Sequence, residues 1–315
     1  MCIGTHHFAT AQYFTARQGY WKTYRHSFGF GLGAANFLGE LGGRDQIGSD
    51  FIYDLDWSET RPSLMVNYRY QLGRYVYSRA QLCFGYIGGN DALTEETFRM
   101  NRNLHFRSTV TELSGLIEFF AIDRSRRNMY ETGVKPRKFT GWMLYGFAGI
   151  GVTHFNPKAN FNGKWYALRP LSTEGQGLPD GPGRYSLFTV VLPLGFGIKY
   201  ELNPDWTVGI EIGHRITFTD YMDDVSTVYY DNNAIFENRG ELAAFLADPS
   251  LGFRIDENGQ QVPLNSTFTG AQRGNPENND SYMFAQLTAQ YKFNPRKVSK
   301  SRGRITKRRA RRVLF

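Results

Sequence analysis

The sequence predicts an all-β fold, an eight-stranded antiparallel transmembrane β-barrel with four long extracellular loops and a disordered basic C-terminal tail. Three observations predict it. Apolar and polar or glycine residues alternate with period two in eight separate runs, and most runs reach the ~9–11 residues of a tilted membrane strand, against ~5–6 for ordinary strands. The links between runs alternate in length. Aromatics make up 16% of the 315 residues, with 19 Tyr, 25 Phe and 34 Gly, and mean hydropathy is −0.45. No run approaches the ~18–20 apolar residues of a transmembrane helix. That excludes a helical membrane protein and leaves a membrane barrel open, because alternating strands average to near-neutral hydropathy.

Trp142–Phe155 (WMLYGFAGIGVTHF) shows the pattern most plainly. Trp142, Leu144, Gly146, Ala148, Ile150 and Val152 fall on one face, and Met143, Tyr145, Phe147, Gly149, Gly151 and Thr153 on the other. A helix is disfavoured, since each of Gly146, Gly149 and Gly151 would cost about 1 kcal/mol there.

In chain order, residues 1–12 are too short and polar for a complete signal peptide, yet Ala9-Thr10-Ala11 fits a signal-peptidase site. They are read as a signal-peptide remnant and 13–26 as an N-terminal periplasmic segment. The barrel spans 27–293. Its strands are Ser27–Phe37, Arg61–Leu72, Tyr75–Tyr86, Phe106–Ile122, Trp142–Phe155, Leu187–Glu201, Thr207–Thr219 and Tyr282–Phe293. Gln71–Tyr75 and Asn203–Trp206 are tight turns, the second with Asn203-Pro204-Asp205 turn chemistry. The link at 123–140 is moderate. Links 38–60, 87–105, 156–186 and 220–281 are long and emerge at one end. An even strand number puts both termini at the short-turn end, periplasmic in barrels of this kind.

A soluble barrel would turn the apolar face inward, but eight strands leave an interior just wide enough for side chains to fill it. The apolar set, rich in Phe, Tyr, Leu and Ile, would overfill that space. The opposite set is glycine-rich and holds Arg69, Arg79, Glu112, Glu118, Lys199, Glu211 and Arg215. These can pair and plug a narrow lumen, so the apolar face is assigned to outer-membrane lipid.

Chemical motifs are sparse. Loop 156–186 is Gly/Pro-rich, but no Gly-Lys-Ser/Thr follows its glycines, which rules out a P-loop. A folded loop capping the barrel is expected there. Asp220, Asp223 and Asp224 place three carboxylates over five residues. They lack the alternation and distal Glu of a calcium loop, so strand-end capping and solvation are expected. Glu241–Ala247 reads as a short helix stopped by Asp248-Pro249, and the rest of 220–281 as mobile. His6, His7, His26, His105, His154 and His214 form no spaced ligand set, and Cys2 and Cys83 form no disulfide framework. No hydrolase elbow, Cys–His pair or His-Glu-x-x-His occurs. No catalytic residue, cofactor or metal is assigned, and the chain is read as a non-enzyme.

The formal net charge is +8, yet ten cations and no anion fall in 296–315, so the remainder carries −2. Ten like charges repel and prevent a packed core. The tail at 294–315 is read as solvated. A functional role would be an electrostatic tether to an acidic protein or anionic surface through Arg296, Lys297, Lys300, Arg302, Arg304, Lys307, Arg308, Arg309, Arg311 and Arg312. Nucleic acid fits the charge but not the compartment.

Trp142–Pro157, Leu171–Gly177 (LSTEGQG), Leu194–Tyr200 (LGFGIKY), Gly213–Ser226 and Ala35–Gly43 together resemble the PorG-like outer-membrane barrels of the Bacteroidota type IX secretion system, over most of 27–293. The resemblance implies a non-enzymatic barrel that docks a periplasmic ring, built from a lipoprotein and its partner protein, to the outer membrane for protein export and, in some members, gliding motility. The family also holds paralogues outside secretion. For these the alternative is a small-ligand or adhesion protein acting through the long loops. The basic tail has no counterpart in the family.

Overall fold

The computed structural model describes residues 25–39, 41, 59–94, 96–123, 141–203, 205–255 and 260–293. Eight long strands form the wall: β1 (His26–Leu38), β2 (Arg61–Gln71), β3 (Val76–Asn90), β4 (His105–Asp123), β5 (Trp142–Phe161), β7 (Phe188–Glu201), β8 (Trp206–Thr217) and β11 (Ser281–Phe293). Each pairs antiparallel with the next of these in the chain. β1 also pairs with β11 from His26↔Phe293 to Leu38↔Ser281. The sheet therefore has no free edge and is a closed up-and-down barrel.

Side-chain burial follows the period of the sequence. Along β4 the inward set is Phe106, Ser108, Val110, Glu112, Ser114, Leu116, Glu118 and Phe120, and the alternation slips only at a bulge between Phe120 and Ile122. Outside, the large apolar side chains stay uncovered: Leu113 and Leu287 are 65% exposed, Phe188 63% and Ile150 61%. They join Phe30, Leu32, Leu64, Leu82, Phe196 and Ile210 in a belt around the wall. Such a continuous surface is far beyond what a monomer keeps in water. Toward the short-turn end the belt meets aromatic rings, with Trp142 against Tyr200 (centroids 5.0 Å apart) and Trp206 against Tyr291 (5.2 Å). Amphipathic rings at that level are the girdle of a membrane barrel.

The turn at Asn203 is held by its side chain, whose Oδ1 accepts from the Asp205 and Trp206 amides at 3.0 and 2.8 Å. The fifth strand departs from expectation: it runs to Phe161 instead of ending at Phe155, and folds back as β6 (Lys164–Ala167). Asn162 and Gly163 adopt φ of 53° and 81°, the paired left-handed geometry of a tight hairpin.

The long-loop end is a folded cap. Helix α1 (Thr97–Arg102) is N-capped by Glu96, which accepts from the Phe98 and Arg99 amides. The expectation that 220–281 is mobile outside Glu241–Ala247 is corrected. Its described residues hold α2 (Asn232–Arg239), α3 (Glu241–Ala247) and a small hairpin of β9 (Phe253–Ile255) and β10 (Gln261–Pro263). Asp231 caps α2, and Ile235, Ala243, Ala244 and Ala247 pack against Tyr230 of the same loop and Leu171 and Leu178 from the other long loop. That shared core holds the Asn-rich segment in place.

Candidate functional site

The barrel interior and the cap above it contain the buried charge. Arg69, Arg79, Glu112, Glu118, Lys199, Glu211 and Arg215 all point inward, each at most 3% exposed. They fall into two groups. In the first, Arg79 Nη1 donates to Glu211 Oε2 at 2.7 Å and lies 3.2 Å from Glu118 Oε1. Arg69 Nη2 lies 2.8 Å from Glu118 Oε1 and 3.8 Å from Glu211 Oε2, and Lys199 Nζ donates to Glu118 Oε2 at 3.4 Å. In the second, Glu112 accepts from Arg215 Nε at 3.1 Å, the Tyr282 hydroxyl at 3.0 Å and the Ser114 hydroxyl at 2.7 Å.

Aromatic side chains fill the remaining space, and these roles were not singled out from the sequence. The Tyr145 hydroxyl donates to Glu211 at 2.7 Å, and its ring lies 3.8 Å from Lys199 Nζ. Phe147 lies under the Arg79 guanidinium at 4.7 Å. The inward glycines make room for them: a Cβ on Gly197 would stand 2.5 Å from the Tyr145 hydroxyl, and one on Gly195 2.6 Å from Phe147 Cζ. The Gly-aromatic alternation of LGFGIKY is thus half of a fit whose other half lies on β5. Toward the short-turn end, the cavity bounded by Arg69, Tyr77, Phe120 and Lys199 measures about 30 Å³, which holds about one water. Among the described residues, the lumen is a plug of paired charges and rings.

The cap is tied down by two further ion pairs. Asp91 takes Arg102 in bidentate fashion at 2.7 and 3.0 Å, and the same guanidinium donates to the Arg273 carbonyl at 2.7 Å. Glu174, in the LSTEGQG segment, accepts from Arg273 Nη1 at 2.9 Å, the Ser226 amide at 2.9 Å and the Thr227 hydroxyl at 2.8 Å. One carboxylate thereby joins three stretches of two loops. A lone buried glutamate within a Gly-rich loop was the available sequence signal for this joint.

The solvated reading of Asp220, Asp223 and Asp224 is corrected, since all three are buried. Asp224 accepts from Thr173 and from the Tyr185 hydroxyl, the latter at 2.5 Å. Asp223 accepts from the Val225 amide at 3.0 Å. Burial pushes the Asp224 carboxyl up to about 6 against the pull of Arg273, Thr173 and Tyr185. Burial also raises Asp91 against the pull of Arg102. Among the described residues, no group of three His, Cys, Asp or Glu side chains is arranged to hold a metal ion. The histidines serve separately: His26 Nδ1 pairs with the Tyr68 hydroxyl at 2.5 Å, His105 Nε2 accepts from the Asn160 amide at 3.0 Å, and the His154 ring leans on Phe188. Cys83 is a buried free thiol. The ten tail cations, residues 1–12 with Cys2, and the link at 124–140 lie outside the described residues.

No family model matches the chain, and no curated protein matches it. Solved structures with similar architecture include the attachment invasion locus protein Ail of Yersinia pestis, crystallised with the heparin analogue sucrose octasulfate, at 10% identity and a TM-score of 0.36, covering 86% of this chain and 99% of that one. Neisserial surface protein A matches at 6% identity and TM-score 0.35, over 85% and 97%. OprG of Pseudomonas aeruginosa matches at 11% and 0.35, over 86% and 97%. The class assignment rests on the strand pairing and burial described above: an outer-membrane-type β-barrel, closed, apolar outside and charged within.

Proposed function

We propose that this chain is a non-enzymatic anchor in the outer membrane, and that it docks the periplasmic ring of a type IX protein secretion apparatus, with a contribution to gliding in cells that glide. The observation that carries the anchoring reading is the sealed lumen. Four cations and three carboxylates, packed with Tyr145 and Phe147, fill the lumen among the described residues, so the barrel's use lies in its rims and its wall. The secretion assignment is supported by the resemblance of Trp142–Pro157, Leu171–Gly177, Leu194–Tyr200, Gly213–Ser226 and Ala35–Gly43 to the PorG-like barrels. His26 and Phe293 are paired neighbours at the short-turn rim. A tail leaving Phe293 there, on the periplasmic side, would carry Arg296 to Arg312 toward the ring lipoprotein, its partner protein or anionic headgroups.

The experiment is a mild-detergent pull-down of the tagged, membrane-inserted barrel with mass spectrometry. Recovery of the ring proteins, weakened when Arg308, Arg309, Arg311 and Arg312 are reversed to Glu, is the expected result. A barrel recovered alone overturns the ring assignment, and unchanged recovery after charge reversal overturns the role of the tail. Steady ion conductance in planar bilayers would overturn the sealed lumen itself. A second reading, a small-ligand or adhesion protein working through the long loops, is favoured by the ordered cap with its internal ion pairs.

A further inference from the structure

Toward the long-loop end, the outward face of β3, β4 and β5 is layered. Strand register sets the rows. Leu82, Leu113 and Val152 come first, then Phe84, Thr111 and His154, then Tyr86, Thr109 and Asn156, and last Gly88, Arg107 and Lys158. These positions alternate with the buried inward set. The wall thus passes from apolar, through neutral polar, to cationic, and no Asp or Glu occurs in these rows. The first and last rows are about 20 Å apart along the strand, or about 15 Å along the barrel axis at a tilt of about 40°.

Arg107 and Lys158 stand directly opposite each other, and like charges so placed destabilise an antiparallel pair. Arg107 is exposed and Lys158 partly so, and neither belongs to an ion pair among the described residues. Glu59, whose carboxylate lies over Gly88 on the neighbouring strand, is engaged by Arg61 at 2.5 Å. The Arg107 guanidinium sits instead between two rings, 4.8 Å from the Trp165 centroid and 5.3 Å from that of Tyr86. Ring faces attract the charge and fix its position, but the forked N–H donors of a guanidinium match a phosphate or carboxylate. Two facing cations, one of them held in place by aromatics, mark a position where an anion would relieve the repulsion.

We propose that this face binds an acidic glycolipid of the leaflet at the long-loop end. Its acyl chains lie on Leu82, Leu113 and Val152, its sugars lie against Thr109, Asn156 and the Tyr86 and Trp165 rings, and a phosphate or carboxylate on the sugars meets Arg107 and Lys158. An anionic phospholipid fits less well. The interfacial layer of a phospholipid bilayer adds only about 5–7 Å beyond the hydrocarbon on each side, and here a neutral polar row stands between the apolar belt and the cations. The site rests on the lipid-facing wall and not on ring docking, so a failed pull-down leaves it untouched.

The test is native mass spectrometry of the full-length barrel in detergent, mixed in turn with a deep-rough lipopolysaccharide (lipid A with its inner acidic sugars), digalactosyl diacylglycerol and phosphatidylglycerol. Preferential retention of the lipopolysaccharide is the expected result. Combining Arg107→Gln with Lys158→Gln should weaken that retention about tenfold or more. Removing two facing cations should leave the urea midpoint in phosphatidylcholine vesicles unchanged or higher, which separates lost binding from lost folding. In vesicles that also contain the lipopolysaccharide, the midpoint should rise for the parent and not for the double variant. Equal retention of phosphatidylglycerol or of the neutral glycolipid overturns the site. So does absence of retained lipopolysaccharide, full retention by the folded double variant, or a lower midpoint for that variant in phosphatidylcholine.

Discussion

Replacing Glu211 by Gln tests whether the lumen is a dry, paired network. In the parent, Arg69, Arg79 and Lys199 share two carboxylates, Glu118 and Glu211. Glu211→Gln leaves three cations facing one carboxylate at a site where Glu211 is 3% exposed, and weakens the acceptor of the Tyr145 hydroxyl. Breaking a buried pair from one side costs about 3–5 kcal/mol, because the stranded charge cannot be solvated. In a water-filled bore the same change would resemble loss of a surface pair, at most about 1 kcal/mol. The assay is urea unfolding of the barrel refolded into lipid vesicles, followed by tryptophan fluorescence. Arg79→Gln and the double variant complete a cycle, and the coupling energy for a pair 2.7 Å apart should reach about 2 kcal/mol. The parent midpoint should move little between low and high salt, since buried pairs are weakly screened. A loss below about 1 kcal/mol, or coupling near zero, would refute the sealed-lumen argument and the proposal built on it.

Leu113→Arg places a charge on the outer face of β4 at a position 65% exposed. In lipid it should cost about 2–4 kcal/mol in the same assay, whereas in water a surface substitution would fall within about 0.5 kcal/mol. Gly197→Val should drive the Tyr145 hydroxyl off Glu211, given the 2.5 Å approach of the added Cβ. It should lower the yield of heat-modifiable barrel far more than Gly115→Val, where a Cβ meets nothing within 4 Å. For Asp224, a folded pKa of about 6 lies above the ordinary 3.8, so the cap gains stability as pH falls from about 6 toward 4 and loses it as pH rises through 6. The full difference is about 3 kcal/mol. Hydrogen exchange at residues 172–186, compared with Asp224→Ala, should show protection increasing in acid for the parent only; the opposite slope would overturn the assignment.

The wall was legible because period two is written directly into residues such as Leu194–Tyr200, and lipid outside with side chains inside leaves each strand only one way to face. Which inward charge meets which was not legible: Arg79 and Glu211 are 132 residues apart, and their meeting depends on barrel register. The β5–β6 hairpin was written in Asn162-Gly163, a strong turn signal, but the surrounding Asn, Lys and Trp read as loop. The cap was hidden for a different reason. In α2, NNAIFENR, only Ile235 is buried, so no apolar stripe announces a helix that exists because Leu171 and Leu178 meet it from a distant loop, beside the neighbouring Tyr230. The buried aspartates misled similarly. Three carboxylates read as solvent-loving until Tyr185, Thr173 and neighbouring backbone amides come to them.

The seam between β1 and β11 has a kinetic consequence. Its partners, His26 and Phe293, are nearly the whole described chain apart, so the first strand synthesised waits for the last before its outer edge is satisfied. Until then β1 offers a row of unpaired amides and carbonyls to any passing strand, and closing the longest loop in the molecule comes late. The barrel should therefore seal in one cooperative event governed by arrival of Ser281–Phe293. A chain lacking that segment would have two sticky edges and no cylinder, so a nascent molecule needs an escort for β1 from the moment it emerges.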